Sequence, residues 1–156
     1  MYTEKQAAKV IYKCLEALAH CHSLGITHRD IKPDNIMFGN DGEVRLVDFG
    51  LAKDTKHHMH TYAGTPYFMA PEVLSGDYTH KCDIWSLACV LYMIMAGQLP
   101  YDGKSRDLVF AKIKSGVFDP PPRPFSEEFE TLLLQMFAVN PKERPTAVEC
   151  MTHIWF

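Results

Sequence analysis

The sequence is poor in the features that mark several common protein classes. Its 156 residues carry a formal net charge of -3, and lysine and arginine gather in no cluster. Phosphate binding needs a local excess of cations, so neither nucleic acid nor an anionic membrane is expected as the main partner. The five cysteines, Cys14, Cys21, Cys82, Cys89 and Cys150, are odd in number and form no C-x-x-C pair. That disfavours both a disulfide framework and a zinc site, and fits a reducing, intracellular and cytoplasmic setting. The opening MYTEKQ lacks the basic and apolar parts of a signal peptide, and the longest apolar run, Ile84 to Ala96, is too short to cross a bilayer and is interrupted by Ser86. No segment repeats, and no calcium-binding D-x-D/N-x-D/N-G loop occurs. The nine glycines contain no G-x-G.

What is present is ample for one packed core, with 47% hydrophobic residues. Ala7, Val10, Ile11, Cys14, Leu15 and Leu18 recur at the spacing of one helical face, so residues 4–24 are expected to form a helix, opened by a Thr3/Gln6 capping box and closed by Gly25. Ile36 to Phe38 and Val44 to Val47 flank an Asp-Gly turn and predict a β-hairpin. In such a pair position 35 lies across from about 47 or 48, which brings Asn35 and Asp48 side by side. From Lys81 to Ala96 apolar residues occupy every face, the mark of a helix surrounded by protein. Further helices are expected at about 105–115, 126–138 and 146–153, the last opened by Thr146 and Glu149. DPPPRP at 119–124 reads as a stiff extended connector. The fold class is therefore mainly α with a short β-hairpin.

The segment HRDIKPDNIMFGNDGEVRLVDFG, residues 28–50, concentrates the chemistry. Magnesium prefers oxygen ligands and commonly takes only one or two protein carboxylates, leaving phosphate oxygens and water to fill the rest. Asn35 and Asp48 offer such a pair. Asp30 can orient an attacking hydroxyl and accept its proton, while Lys32 neutralises charge on a phosphoryl group in flight.

HRDIKPDN resembles the catalytic loop of eukaryotic protein kinases, DFG at 48–50 their magnesium motif, and APE at 70–72 the end of their activation segment. At roughly one in twenty per fixed residue, H-R-D-x-K-P-x-N arises by chance on the order of once in 10^8 start positions. The resemblance implies the kinase fold, its C-terminal lobe only, where a complete kinase is α+β. It implies ATP and Mg2+ as cofactors and a protein substrate, with Asp30 as catalytic base, Lys32 contacting phosphate, Asn35 and Asp48 holding metal, and Met37 flooring the adenine pocket. Lys32 and GTPYFMAPE look like the serine/threonine branch, in which Thr65 bonds Asp30 and Lys32. Arg29 is similar to the arginine that meets an activation-loop phosphate, and Thr61 stands where that phosphate can be placed. Glu72 with Arg144 resembles the ion pair fastening the activation segment, and Asp83 the residue bracing the catalytic loop. YTHKCDIWS, LPYDG, NPKERPTA and HIWF point to the calcium/calmodulin-dependent group, especially calcium-dependent protein kinases. Thr27 and Ala88 depart from the usual pattern without removing a catalytic group.

The same template also requires a glycine-rich loop and a lysine on a strand that pairs with a helix glutamate. Neither is in these residues, so 1–156 is read as a C-lobe whose small lobe, or a longer parent chain, is its missing partner. Alone it is expected to be inactive, with an exposed apolar face where the small lobe would sit. Two classes remain open: the catalytic lobe of an ATP-dependent serine/threonine kinase, or a non-catalytic pseudokinase-like binding module. His57, His58 and His60 are more simply a solvated loop than a metal site. Asp34 is either a contact for a basic substrate residue or a plain loop carboxylate, and the cysteines are core packing rather than redox groups.

Overall fold

The computed structural model describes residues 2–54, 66–76 and 78–156. The first helix, α1 (Glu4–Ser23), buries Ala7, Ile11, Cys14, Leu15 and Leu18 along one stripe. Its ends follow local chemistry. Thr3 Oγ1 accepts from Gln6 N at 3.3 Å while Gln6 Oε1 accepts from Thr3 N at 3.0 Å, satisfying two backbone donors that a helix start leaves open. Gly25, at φ 74°, takes the left-handed turn that ends the helix.

Two strands follow, β1 (Ile26–Thr27) and, after a 3-10 turn at Pro33–Asn35, β2 (Ile36–Phe38). The latter pairs antiparallel with β3 (Val44–Leu46) in the register Ile36↔Leu46, Met37↔Arg45, Phe38↔Val44. The expected hairpin is present, and Gly42 at φ 78° makes its tight turn. A second pairing carries no sequence signal: β1 joins β4 (Lys53–Asp54), with Ile26 opposite Asp54. Two-residue strands are too short to show alternation.

The centre of the core is α2 (Lys81–Ala96), buried on every side as its unbroken apolar pattern requires. Trp85, fully buried, stacks on Tyr101 at 5.5 Å and meets Phe137 edge-on at 5.1 Å. Around it lie α3 (Arg106–Ser115), α4 (Glu127–Met136) and α5 (Ala147–Met151). Serines 105 and 126 cap α3 and α4, and α5 opens on the Thr146/Glu149 capping box. This last helix is shorter than its periodicity suggests, because the chain turns at Thr152. The proline-rich 119–124 stretch, expected as an extended connector, bends at Pro122 and Arg123 and is anchored at its start: Asp119 N donates to Pro100 O at 2.9 Å, and the Asp119 carboxylate takes Lys112 at 2.7 Å. Among the described residues no helix is long and apolar enough to cross a membrane. All five cysteines are free, and four are buried.

Candidate active site

The loop from His28 to Asn35 is held from below by a single carboxylate. Asp83, fully buried in the first turn of α2, accepts His28 N through Oδ2 and Arg29 N through Oδ1, each at 2.9 Å. Two donors on one rigid acceptor fix the peptide plane. Arg29 thereby stays at φ 71°, a left-handed conformation that costs a non-glycine residue about 1–3 kcal/mol. Asp83 Oδ2 is also bonded at 2.8 Å by His22 Nε2 from α1. His28 ties the loop to the neighbouring strand: Nε2 lies 3.1 Å from Val47 O, and Nδ1 accepts from Asp30 N at 3.3 Å. These contacts assign the proton to Nε2.

Asp30 is therefore presented from a fixed backbone. It is buried, at 8% exposure, and Oδ2 accepts from Lys32 Nζ at 2.7 Å and from Asn35 Nδ2 at 3.0 Å. Asn35 Nδ2 also donates to Asp30 O at 2.8 Å. Both amide protons are thus spent on Asp30, which leaves Asn35 Oδ1 as the oxygen turned to other ligands. Among the described residues nothing donates to Asp30 Oδ1. The Lys32 ammonium has its pKa raised, chiefly by the hydrogen bond to Asp30 against some desolvation, and then by the charges of Asp30, Asp34 and Asp48. Lys32 is accordingly a fixed cation among three carboxylates.

The hairpin carries the remaining group. Val47 N donates to Asn35 O at 3.0 Å, extending the ladder one step past Ile36↔Leu46 and placing Asp48 immediately beyond the strand, beside Asn35. Asp48, exposed, sits at φ 62°, and its Oδ1 accepts from Gly50 N at 3.2 Å. Aspartate tolerates this left-handed geometry because its short side chain bonds the backbone locally. Phe49 packs on the His28 ring at 4.6 Å. An amide oxygen and a carboxylate, with a cation and a second carboxylate adjacent, suit a hard oxygen-seeking ion such as magnesium. Among the described residues no group of three or more His, Cys, Asp or Glu could hold another metal.

Asp30, Lys32, Asn35 and Asp48 are thus brought together as the sequence suggests. Met37 stands apart on β2, 52% exposed, and Phe38, its neighbour in the strand, points to the other side of the hairpin; Phe49 and Leu51 are also exposed. Thr65, Thr61 and the His57, His58 and His60 group lie outside the described residues. Arg29, buried, donates to Leu51 O at 3.2 Å and lies over the Tyr78 ring at 5.4 Å. Glu72 and Arg144 form the expected pair, with Nη1–Oε1 at 2.6 Å and Nη2–Oε2 at 3.0 Å. Sequence reasoning gave no role to His22 or to the His28 ring. The contact from His22 to Asp83 spans 61 residues, and no local pattern announces it.

The protein kinase domain family model matches residues 1–156. Sperm motility kinase 3A of Mus musculus is 41% identical, the match covering 99% of this chain and 31% of that protein. Calcium-dependent protein kinase 5 of Plasmodium falciparum is 35% identical, covering 99% and 29%. Calcium/calmodulin-dependent protein kinase type II of Caenorhabditis elegans is 37% identical, covering 99% and 23%. The chain spans less than a third of the length of these relatives.

Proposed function

Because this chain belongs to the protein kinase domain family, we propose that it is the catalytic and substrate-binding lobe of a serine/threonine kinase that transfers the γ-phosphate of ATP to a protein hydroxyl. The observation that carries the reading is the arrangement around Asp30. One carboxylate oxygen is occupied by Lys32 and Asn35, and the other receives no donor among the described residues.

The family implies ATP and, typically, Mg2+. When bound, the magnesium nucleotide supplies the phosphoryl group and neutralises charge across the phosphate oxygens. The protein's own groups supply position. Asn35 Oδ1 and the Asp48 carboxylate are the groups that would hold the metal. Asp30 orients the substrate hydroxyl and accepts its proton, and Lys32 offers positive charge to the transferred group. Asp83 and His28 act on Asp30 by fixing its backbone. Thr65, outside the described residues, belongs to the same site by resemblance, as does Met37 under the adenine. The glycine-rich loop and the anchoring lysine have no counterpart in residues 1–156, so catalysis draws on a small lobe outside these residues, whether from a longer parent chain or a separate partner. Positioning is most of what a kinase contributes, and this chain alone is inactive. Five thiols free of disulfides support an intracellular setting.

The test is thermal unfolding of the purified chain with rising Mg-ATP. Saturation at a hundredfold excess over Kd stabilises by about 2.7 kcal/mol, a rise of about 5–10 °C for a chain of this size. The rise is expected in the parent and absent in Asp48→Ala. An unmoved midpoint in the parent would remove the nucleotide site from this chain. Transfer to a serine peptide is expected only after fusion to a small lobe and is lost in Asp30→Ala. Steady transfer by the chain alone would refute the need for that lobe.

A further inference from the structure

The carboxylate beneath the catalytic loop meets two histidines, not one. His22, in the last turn of α1, bonds Asp83 Oδ2 through Nε2, and its side chain is only 8% exposed. With Nε2 donating to the carboxylate, Nδ1 is left as a bare acceptor, buried and without a hydrogen-bond partner among the described residues. The His80 ring packs on that of His22, their centroids 4.7 Å apart and their planes inclined at 48°, and forms part of the cover that keeps water out. His80 itself is half-buried and stands at the N-cap of α2 without a side-chain capping bond. Swinging its ring into solvent therefore gives up packing but no cap.

A proton on His80 is badly placed. Burial first, then the like charges of His22 and Lys81, hold its imidazole below the ordinary value, and only Asp83 pulls the other way. The folded protein thus favours the neutral ring. The stabilisation it gives is complete above the unfolded pKa of about 6.5 and is lost as pH falls from there towards the lower folded value. The remaining groups around the pair are already committed. On α1 the Cys21 thiol is pushed up by burial and by Asp83, and on α2 the Cys82 thiol is pushed up by the same two causes. Burial likewise raises the Tyr78 hydroxyl, just before α2. The Lys81 ammonium donates to Arg144 O. On the loop, Arg29 turns its guanidinium to Leu51 O and the Tyr78 ring, and the His28 ring is engaged at both nitrogens, with Val47 O and Asp30 N.

The loop above is under tension. Asp83 holds the His28 and Arg29 amides, and Arg29 keeps its left-handed φ of 71° against an intrinsic cost of about 1–3 kcal/mol. Any freedom gained by the carboxylate is passed to those two amide bonds, because relaxing Arg29 relieves the strain.

We propose that His80 is a pH-operated cover for this brace: packed on His22 when neutral, and turned out to solvent when protonated, it admits water to the His22–Asp83 bond and loosens the hold on the His28 and Arg29 amides. A charged imidazole gains hydration by leaving, and the unpaired Nδ1 of His22 gains a water partner at the same time. The device goes beyond the kinase reading. Its readout is the order of the loop, which is measured without nucleotide or phosphoryl transfer, so the two fail separately.

The test is amide hydrogen exchange of the intact chain, followed residue by residue by NMR at about pH 7.5 and about pH 5.5, with each rate divided by the intrinsic rate at that pH. In the wild type the protection of His28 and Arg29 is expected to fall by about tenfold or more on acidification, relative to the Leu87 and Leu91 amides in the buried middle of α2. His80→Phe keeps a ring on His22 but cannot take a proton, and should hold the same relative protection at both pH values. His80→Ala removes the cover and should show the low, acid-like protection already at the higher pH. Relative protection in the wild type that does not change with pH would overturn the proposal, as would a fall that persists in His80→Phe. A parallel loss at Leu87 and Leu91 would overturn it too, since it would mean that the whole fold opens and not the brace. Full protection in His80→Ala would show that the ring covers nothing.

Discussion

Replacing Arg144 exposes how much of this fold hangs on one buried cation. Its side chain is fully buried and Glu72 is 8% exposed. The guanidinium makes a two-pronged pair with Glu72, donates twice to Ala138 O at 3.1 and 3.0 Å and once to Lys81 O at 2.9 Å, and lies 5.1 Å over the Trp85 ring. In Arg144→Met the methylene volume remains, but the Glu72 carboxylate is stranded and the Ala138 carbonyl loses both donors. Removing one partner of a buried pair costs about 3–5 kcal/mol, and a buried acceptor left open adds about 1–3 kcal/mol. Partial relaxation and water entry offset some of this, so a loss of about 4–5 kcal/mol is expected. At about 2–4 °C per kcal/mol, the midpoint falls by about 10–20 °C. Glu72→Gln is the informative counterpart. It leaves Arg144 with its three carbonyl bonds and an amide oxygen, and is expected to cost less than half as much. Urea unfolding followed by far-UV circular dichroism measures both. If Arg144→Met does not fold, Arg144→Lys with Glu72→Gln still tests the asymmetry. A loss under about 1 kcal/mol for the arginine variants, or equal losses from either side of the pair, would refute the reasoning.

Thr27 is fully buried and its Oγ1 has no hydrogen-bond partner among the described residues, so Thr27→Val should raise stability by about 1 kcal/mol; a fall in the urea midpoint would show that the hydroxyl is bonded. Burial works to raise the pKa of Glu4, but the hydrogen bonds from Ser126 and Trp155 and the nearby Arg123 charge outweigh it and hold the carboxyl below its ordinary value. Its contribution is then fully present above the unfolded pKa, about 4.3, and is lost as pH falls through the lower folded value. Wild type should exceed Glu4→Gln in midpoint at neutral pH and converge with it in acid, whereas a constant gap would refute this. Burial pushes the thiols of Cys14 and Cys150 up to about 12, and those of Cys82 and Cys89 also upward. Half-buried Cys21 should therefore react first with Ellman's reagent, and the other four only on unfolding; equal native rates would contradict the burial argument.

Much of this molecule is legible in short stretches of its sequence. The α1 stripe, the all-round apolar pattern of α2, both Thr-based capping boxes and the Asp-Gly hairpin are effects acting over a few residues, and each appears where its pattern lies. The hairpin's register even fixes that Asn35 and Asp48 emerge together, because antiparallel partners keep a constant sum. What holds the site depends on contacts that no local periodicity encodes. Asp83 reaches back 54 and 55 residues to the Arg29 and His28 amides, and His22 reaches forward to the same carboxylate. The β1–β4 pairing, the Arg144 bonds to Ala138 O and Lys81 O, and the bridge from Glu4 to Ser126 and Trp155 are of the same kind. The sequence determined which elements form and which chemical groups they carry. Only tertiary packing decided which carboxylate orients the loop and which groups the Glu4 carboxylate joins, since those outcomes require distant segments to meet.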